Sequence, residues 1–199
     1  MVMPMRARLA AAIRRLGRKS GLAALGRDRR GVSAVEFAIL LPLMITLFFG
    51  GTELSQAITI YRKVGHTATV LGDLVTQSST MNTTDMNNIF DAAKAIMSPY
   101  SSSDAKLLVA ALSWSGSAWK IEWVKSQGTG ASTGWTAGSA PPTSGTPPSN
   151  LQSTAQWVIV SKVDYTYTSA FSAVWNTTSI ALGDIAYLRP RLSATIPFT

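Results

Sequence analysis

The residues with chemistry to offer are few, and most stand alone. Glu36 sits at the edge of residues 37–52, where 16 consecutive residues carry no charge. A carboxylate there is unfavourable in lipid and usually has a partner, although it can also be neutralised or reach the headgroups. Pro42, inside the same run, removes one backbone donor and should kink a helix, which neighbours can tolerate by satisfying the freed carbonyl. Beyond the run, His66 has Asp73 seven residues on, two helical turns away. Neither a Gly-x-Ser-x-Gly elbow nor a His-Glu-x-x-His pair occurs, so acyl transfer and zinc proteolysis lack their usual frameworks. With no cysteine and a single histidine, the chain has no disulfide, no thiolate chemistry and no Cys- or His-rich metal centre. Asp85, Asp91 and Asp104 lack the alternating spacing of a calcium loop. This set points away from an enzyme, and no cofactor or metal is expected.

The elements that carry these residues follow from charge and hydropathy. Of 199 residues, 18 are Lys or Arg and 10 are Asp or Glu, a formal charge of +8. Residues 1–31 hold nine of the basic residues and one acid, Asp28, so the remainder is neutral. The excess is therefore a terminal address and not a folded basic patch, and no nucleic-acid partner is expected. Leu9, Ile13 and Leu16 lie at helical spacing among the arginines, which suits an anionic inner leaflet. Extended back to Val32, the apolar run has 21 residues interrupted only by Glu36. As a helix it is about 31 Å long, close to the hydrocarbon thickness of a bilayer. Arg27, Arg29 and Arg30 precede it, and no basic cluster follows until Arg62 and Lys63. The positive-inside bias then places the N-terminus in the cytoplasm and residues after about 53 outside. A rival processing site, the small-x-small triplet Ser55-Gln56-Ala57, would release a soluble exported protein.

Glu36 becomes informative with its neighbours. Arg29-Arg30-Gly31 is followed by Val32-Ser33-Ala34-Val35-Glu36-Phe37 and Ala38-Ile39-Leu40-Leu41-Pro42. This stretch resembles a prepilin processing site, a basic leader ending in Gly before a helix with Glu at its fifth residue. It is similar to the TadE-like pseudopilins of bacterial tight-adherence (Tad/Flp, type IVb) pilus systems. The likeness covers about residues 27–64, and Tyr165-Thr166-Tyr167 and Arg189-Pro190-Arg191 resemble that family more weakly. The resemblance implies cleavage after Gly31, whose lack of a side chain lets a peptidase approach its carbonyl. It also implies that Glu36 of one subunit faces the new α-amine of Val32 on a neighbour, reducing the cost of leaving either charge in an apolar place. That amine would be mostly cationic at neutral pH, with a reference pKa of about 7.7–8. Phe37 is part of the same assembly motif, and Leu40, Leu41 and Pro42 would pack the membrane helix. The implied partners are a prepilin peptidase, other pilins or pseudopilins, and the inner-membrane pilus platform with its assembly ATPase. The implied location is the bacterial inner membrane, crossed once, with a periplasmic C-terminal domain and incorporation into the pilus as a further option. A leader of 31 residues departs from the usual length, and Met1, Met3 and Met5 all offer starts.

The chain then divides into a leader (1–31), a transmembrane helix (32–53), its periplasmic extension (54–76) and an exported head (77–199). Leu54, Tyr61, Ala68 and Val75 recur at seven residues, and with Ala57, Val64, Leu71 and Ile58 they form one stripe expected to face the head. A self-associating coiled coil is the alternative. Gly50-Gly51, Gly65 and Gly72 are soft points where the helix could break. Residues 77–82 read as a polar linker. Thr84 is a candidate cap for a helix from Asp85 with Ile89, Phe90, Ala93, Ile96 and Met97 on one face, ended by Pro99. Residues 106–113 and 119–125 around Ser115-Gly116-Ser117 predict a hairpin, with Trp119, Ile121 and Trp123 on one face of its second arm.

Residues 126–153, rich in Gly, Ser, Thr and Pro, predict a long, exposed, flexible loop in which Trp135 could mark a contact site. Residues 156–168 predict a strand with Trp157, Ile159, Val163, Tyr165 and Tyr167 together, and 180–188 another, after which the tail could extend the sheet edge. The expected fold is pilin-like α+β, a long N-terminal helix with one small helix and an antiparallel sheet of about four strands. Four of the six tryptophans (114, 119, 123 and 157) fall on strands or their ends, favouring core. Asn82-Thr83-Thr84 and Asn176-Thr177-Thr178 fit the N-glycosylation pattern but are idle on a bacterial reading. The rival function is a membrane-anchored or secreted domain that binds a surface or carbohydrate.

Overall fold

The 47-residue helix α1 (Arg30–Thr76) carries the chain out of the apolar run without a break, and Pro42 and all four soft-point glycines lie within it. The computed structural model describes residues 30–169 and 179–199. Most of the basic leader, Trp175 and Asn176 lie outside the described residues. Internal contacts divide the chain into two units on either side of the Gly51–Thr52 junction. In the first, the apolar side chains of α1 are exposed, and among the described residues this is the one helix long and apolar enough to cross a membrane. The Phe48 and Phe49 rings meet edge to face at 5.4 Å.

The second unit is α+β. After α1 come α2 (Thr83–Ile96), β1 (Ala105–Trp114), β2 (Trp119–Gln127), β3 (Val158–Tyr167) and β4 (Ile180–Leu188). The strands form one antiparallel sheet in the order β2-β1-β3-β4. Strand β1 reads as a nearly continuous apolar run because both of its faces are covered. Leu107, Val109 and Ala111 join Ile60, Val64, Leu71 and Val75 of α1 and Phe90 and Ala93 of α2 in one core. Leu108, Ala110 and Leu112 point the other way, into a second core with Trp119, Ile121, Val158 and Val160.

Several expectations are corrected here. The helix cap is Asn82, whose Oδ1 accepts from the Asp85 amide at 2.8 Å, and Thr84 lies inside the helix. Helix α2 also buries Met86, which the predicted face omitted. The supposed polar linker contains buried Met81, which bridges to Phe198. In β2 the three aromatic and aliphatic residues do not share a face. A bulge lies opposite Ala111 and Leu112, pairing them with Trp123 and Ile121. The extra residue flips the alternation, so Trp119 and Ile121 enter the second core while Trp123 enters the first.

The region between β2 and β3 forms no strand but is not simply exposed. Two 3-10 turns (Thr143–Gly145 and Ser149–Leu151) fold it over the sheet face away from α1, and Trp135 is buried there at 6% exposure. Gly145 lies so close to the indole of Trp135 that a Cβ would collide with the ring. The tail after β4 also departs from expectation, since it leaves the sheet edge for the α1 side. Ile196 is fully buried, Trp123 Nε1 donates to the Ile196 carbonyl at 2.7 Å, and the Arg191 amide donates to the Thr76 carbonyl at 3.0 Å. That last bond satisfies a carbonyl that the end of α1 would otherwise leave unpaired.

Candidate processing and assembly segment

All seven predicted site residues fall on the first four turns of α1. Gly31, Val32, Glu36, Phe37, Leu40, Leu41 and Pro42 are exposed there, and among the described residues nothing outside the helix approaches Gly31. Val32 and Glu36 are four residues apart, hence one turn apart on the same face, as are Phe37 and Leu41. Among the described residues, no cation pairs with Glu36. Among the described residues, nothing covers Glu36 or the apolar side chains around it.

Where α1 enters the second unit, its partners come from the sheet. The Tyr167 hydroxyl donates to Glu53 Oε2 at 2.5 Å and approaches Gln56 Oε1 at 3.4 Å. Burial, and then the hydrogen bond and charge of Glu53, push the Tyr167 hydroxyl up to about 12. Further along, Ser161 Oγ donates to the Ala68 carbonyl at 2.6 Å in a fully buried contact. Gly65 and Gly72 flank that contact. A Cβ on Gly65 would strike the Asp184 carboxylate, and one on Gly72 would strike Leu188 and Ser161. These glycines do not break the helix. They remove the side chains that would hold it off β3 and β4.

The seven-residue stripe divides in two. Ala68 and Val75 are buried with Val64 and Leu71, joined by Ile60 and Thr67, whereas Leu54, Ile58 and Tyr61 stay exposed. Polar residues complete the seat of the helix. Lys63 donates to the Ser98 carbonyl and stands 5.4 Å above the Tyr100 ring, and the Arg191 guanidinium pairs with Asp73. His66 is exposed on α1, and Asp73 is engaged by Arg191 and Gln77. Among the described residues, no group of three or more His, Asp or Glu side chains is placed to hold a metal ion.

Residues 31–70 match the family model for TadE-like protein. The resemblance read from the sequence is thus borne out over this segment. No curated protein and no solved structure matches the chain significantly. The TadE-like segment begins at Gly31, takes in every predicted site residue, and ends one residue before buried Leu71. It therefore covers the uncovered first part of α1 and also Glu53, Gly65 and Ala68, which meet the sheet. The sheet itself lies outside the match. Tyr167, Ser161 and the close-approach glycines were missed as functional supports. In the sequence Tyr167 stands out as a strand-face residue and within the weak family likeness of Tyr165-Thr166-Tyr167, Ser161 carries no pattern, and the glycines look like weak points.

Proposed function

We propose that this chain is a membrane-anchored structural subunit, a pseudopilin or minor pilin, that helps initiate or carry a Tad-type pilus. The TadE-like match that starts at Gly31 carries the proposal. On this reading, residues 1–31 are a cytoplasmic leader and 32–53 cross the inner membrane. Residues 54–76 continue the helix outside, and 77–199 form a periplasmic head. A prepilin peptidase hydrolyses the Gly31–Val32 amide, water supplying the hydroxyl to the glycine carboxyl and a proton to the new amine.

The product has a cationic amine at Val32 and a carboxylate at Glu36 in one apolar segment. Each is costly to bury alone and less so when paired. Pairing between neighbouring subunits gives assembly a register, while Phe37, Leu40, Leu41 and Pro42 supply the apolar packing. The partners are then the peptidase, other pilins, and the platform with its assembly ATPase. The protein's work is association and not catalysis.

The test is the N-terminal residue of the mature protein, read by mass spectrometry from native membranes. Val32 is expected. An intact leader, or a start just after Ala57, refutes the processing step. Glu36→Leu should still insert into the membrane and fail to support pili. Normal pili with that change would overturn the charge-pairing role.

A further inference from the structure

On the sheet face turned away from α1, the cover leaves the end of β3 and its neighbour β4 open. Val158 and Val160 of β3 lie in the second core, but Lys162 and Asp164, next on the same face at a spacing of two, are only half-buried. Beside them on β4, Gly183, Ile185 and Tyr187 pair with Asp164, Lys162 and Val160. These side chains floor an open recess of about 340 Å³, with exposed Ser144 of the first 3-10 turn on its wall. Ligand clefts run from roughly 300 to 1,000 Å³, so this one suits a small molecule. Among the described residues no strand lies beyond β4, and the sheet does not close the recess on that side.

The lining selects a class of ligand. Lys162 Nζ donates to Asp164 Oδ2 at 2.6 Å, and the two side chains are 26% and 36% exposed. A Cβ on Gly183 would collide with Asp164 Oδ1, so the missing side chain is what lets this carboxylate lie over β4 as an acceptor. The ammonium of Lys162 has three donors, and the pair uses one of them. Ser144 and Tyr187 add hydroxyls, and burial raises the Tyr187 hydroxyl, which stays protonated. Ile185 and the Tyr187 ring form the apolar part of the lining. An anion would meet two carboxylates, Asp164 and Asp184, against one ammonium. A cation would have to displace Lys162 from Asp164, while Asp184 Oδ1 already accepts from the Ile185 amide at 2.8 Å. An apolar ligand would strip water from the ion pair without replacing its hydrogen bonds. The remaining class is uncharged, with hydroxyls around its edge and carbon–hydrogen faces. We propose that the recess binds carbohydrate, a neutral mono- or disaccharide unit whose adjacent hydroxyls meet Asp164 and Lys162 and whose apolar face meets Ile185 and Tyr187. This site goes beyond the pilin reading and does not depend on it.

The full chain is tested in micelles of a zwitterionic detergent, because a sugar-headed detergent would compete for the site. Cellobiose and N,N′-diacetylchitobiose are the neutral probes and glucuronic acid is the charged contrast, all read by saturation-transfer NMR at equal concentration. At least one neutral probe should show transfer, and glucuronic acid at least three-fold less. Ser144→Arg sends a long side chain from an exposed turn into the recess and sets a second cation against Asp164. Asp164→Asn keeps the shape and removes the charge. Each should lower the signal at least five-fold, and the urea midpoint of Ser144→Arg should match wild type. Ser126→Ala, exposed on β2, should bind as wild type does. No transfer from either neutral probe, a stronger signal from glucuronic acid, or a signal that either recess variant leaves at wild-type strength overturns the proposal. The mature N-terminus is a separate measurement, so failure here leaves the processing step standing, and an intact leader leaves the recess standing.

Discussion

Replacing Trp135 with Ala tests whether the segment between β2 and β3 is a packed layer or a free loop. The indole is 6% exposed and sits among Leu108, Ala110, Leu112 and Val160, with Gly145 pressed against its ring. A tryptophan that buries about 200 Å² gains roughly 5 kcal/mol at 25 cal/mol per Å². An alanine retains a small part of that gain, and incomplete collapse of the cavity adds to the loss. The expected destabilisation is about 3–5 kcal/mol, in line with other buried aromatic deletions. The assay is urea unfolding of the full chain in detergent micelles, followed by circular dichroism of the sheet, beside wild type. The midpoint should fall with little change in slope, since the native sheet exposes the same surface on unfolding. The cover should also become more open to limited proteolysis near residue 135. A change within about 0.5 kcal/mol, the range of an ordinary surface substitution, would refute the packed-layer reasoning and return Trp135 to the status of a surface contact.

Two further outcomes are expected in the same assay. Asn82→Ala removes the acceptor of the Asp85 amide and should cost about 1 kcal/mol, whereas Thr84→Ala should be close to neutral; equal effects would contradict the observed cap. Tyr167→Phe probes the contact with Glu53 through pH. The hydroxyl is raised from 10.0 to about 12 in the folded protein, so its contribution is fully present below pH 10 and is lost as the pH rises towards 12. Wild type should therefore lose stability faster than Tyr167→Phe across that window, and parallel pH profiles for the two proteins would contradict the buried hydroxyl.

The parts of the fold legible in the sequence are those where one period governs one element. Strand β4 runs from Ile180 to Leu188 as its composition predicts, and the odd residues of β3 share a face from Trp157 to Tyr167 because nothing interrupts their alternation. Legibility fails where a second influence enters. The bulge in β2 changes which face Trp123 occupies, and no residue type announces it. The cover over the second face is held by Trp135 and by the space at Gly145, so its Gly, Ser and Pro content resembles that of an unpacked loop. The tail looks like an edge extension until the pairing of Met81 with Phe198 draws it to the other side. At the candidate site, every predicted residue is found on the first turns of one helix, whereas the later part of that helix is seated by β3 and β4, far away in sequence. A single Ser hydroxyl on a helical carbonyl has no periodic signature.

The stripe on α1 shows why a correct period can still assign the wrong partner. An ideal α-helix drifts about 20° for each seven residues relative to a strict heptad repeat. From Leu54 to Val75 the series completes three heptads, so its end has rotated about 60° from its beginning. That rotation separates exposed Leu54 and Tyr61 from buried Ala68 and Val75 without any change in residue character. A straight helix held by a sheet cannot keep all four on its contact face, and the sheet has taken the later ones. Gly65, Ala68 and Gly72 are the small residues that let it do so at close range, with Ser161 bonded between them. The earlier residues are left exposed by the same drift. The repeat thus changes from exposed to sheet-packed positions, and the change falls between Tyr61 and Gly65. Leu54→Lys should accordingly leave the urea midpoint of the fold nearly unchanged, whereas a loss of more than about 0.5 kcal/mol would contradict the rotation argument.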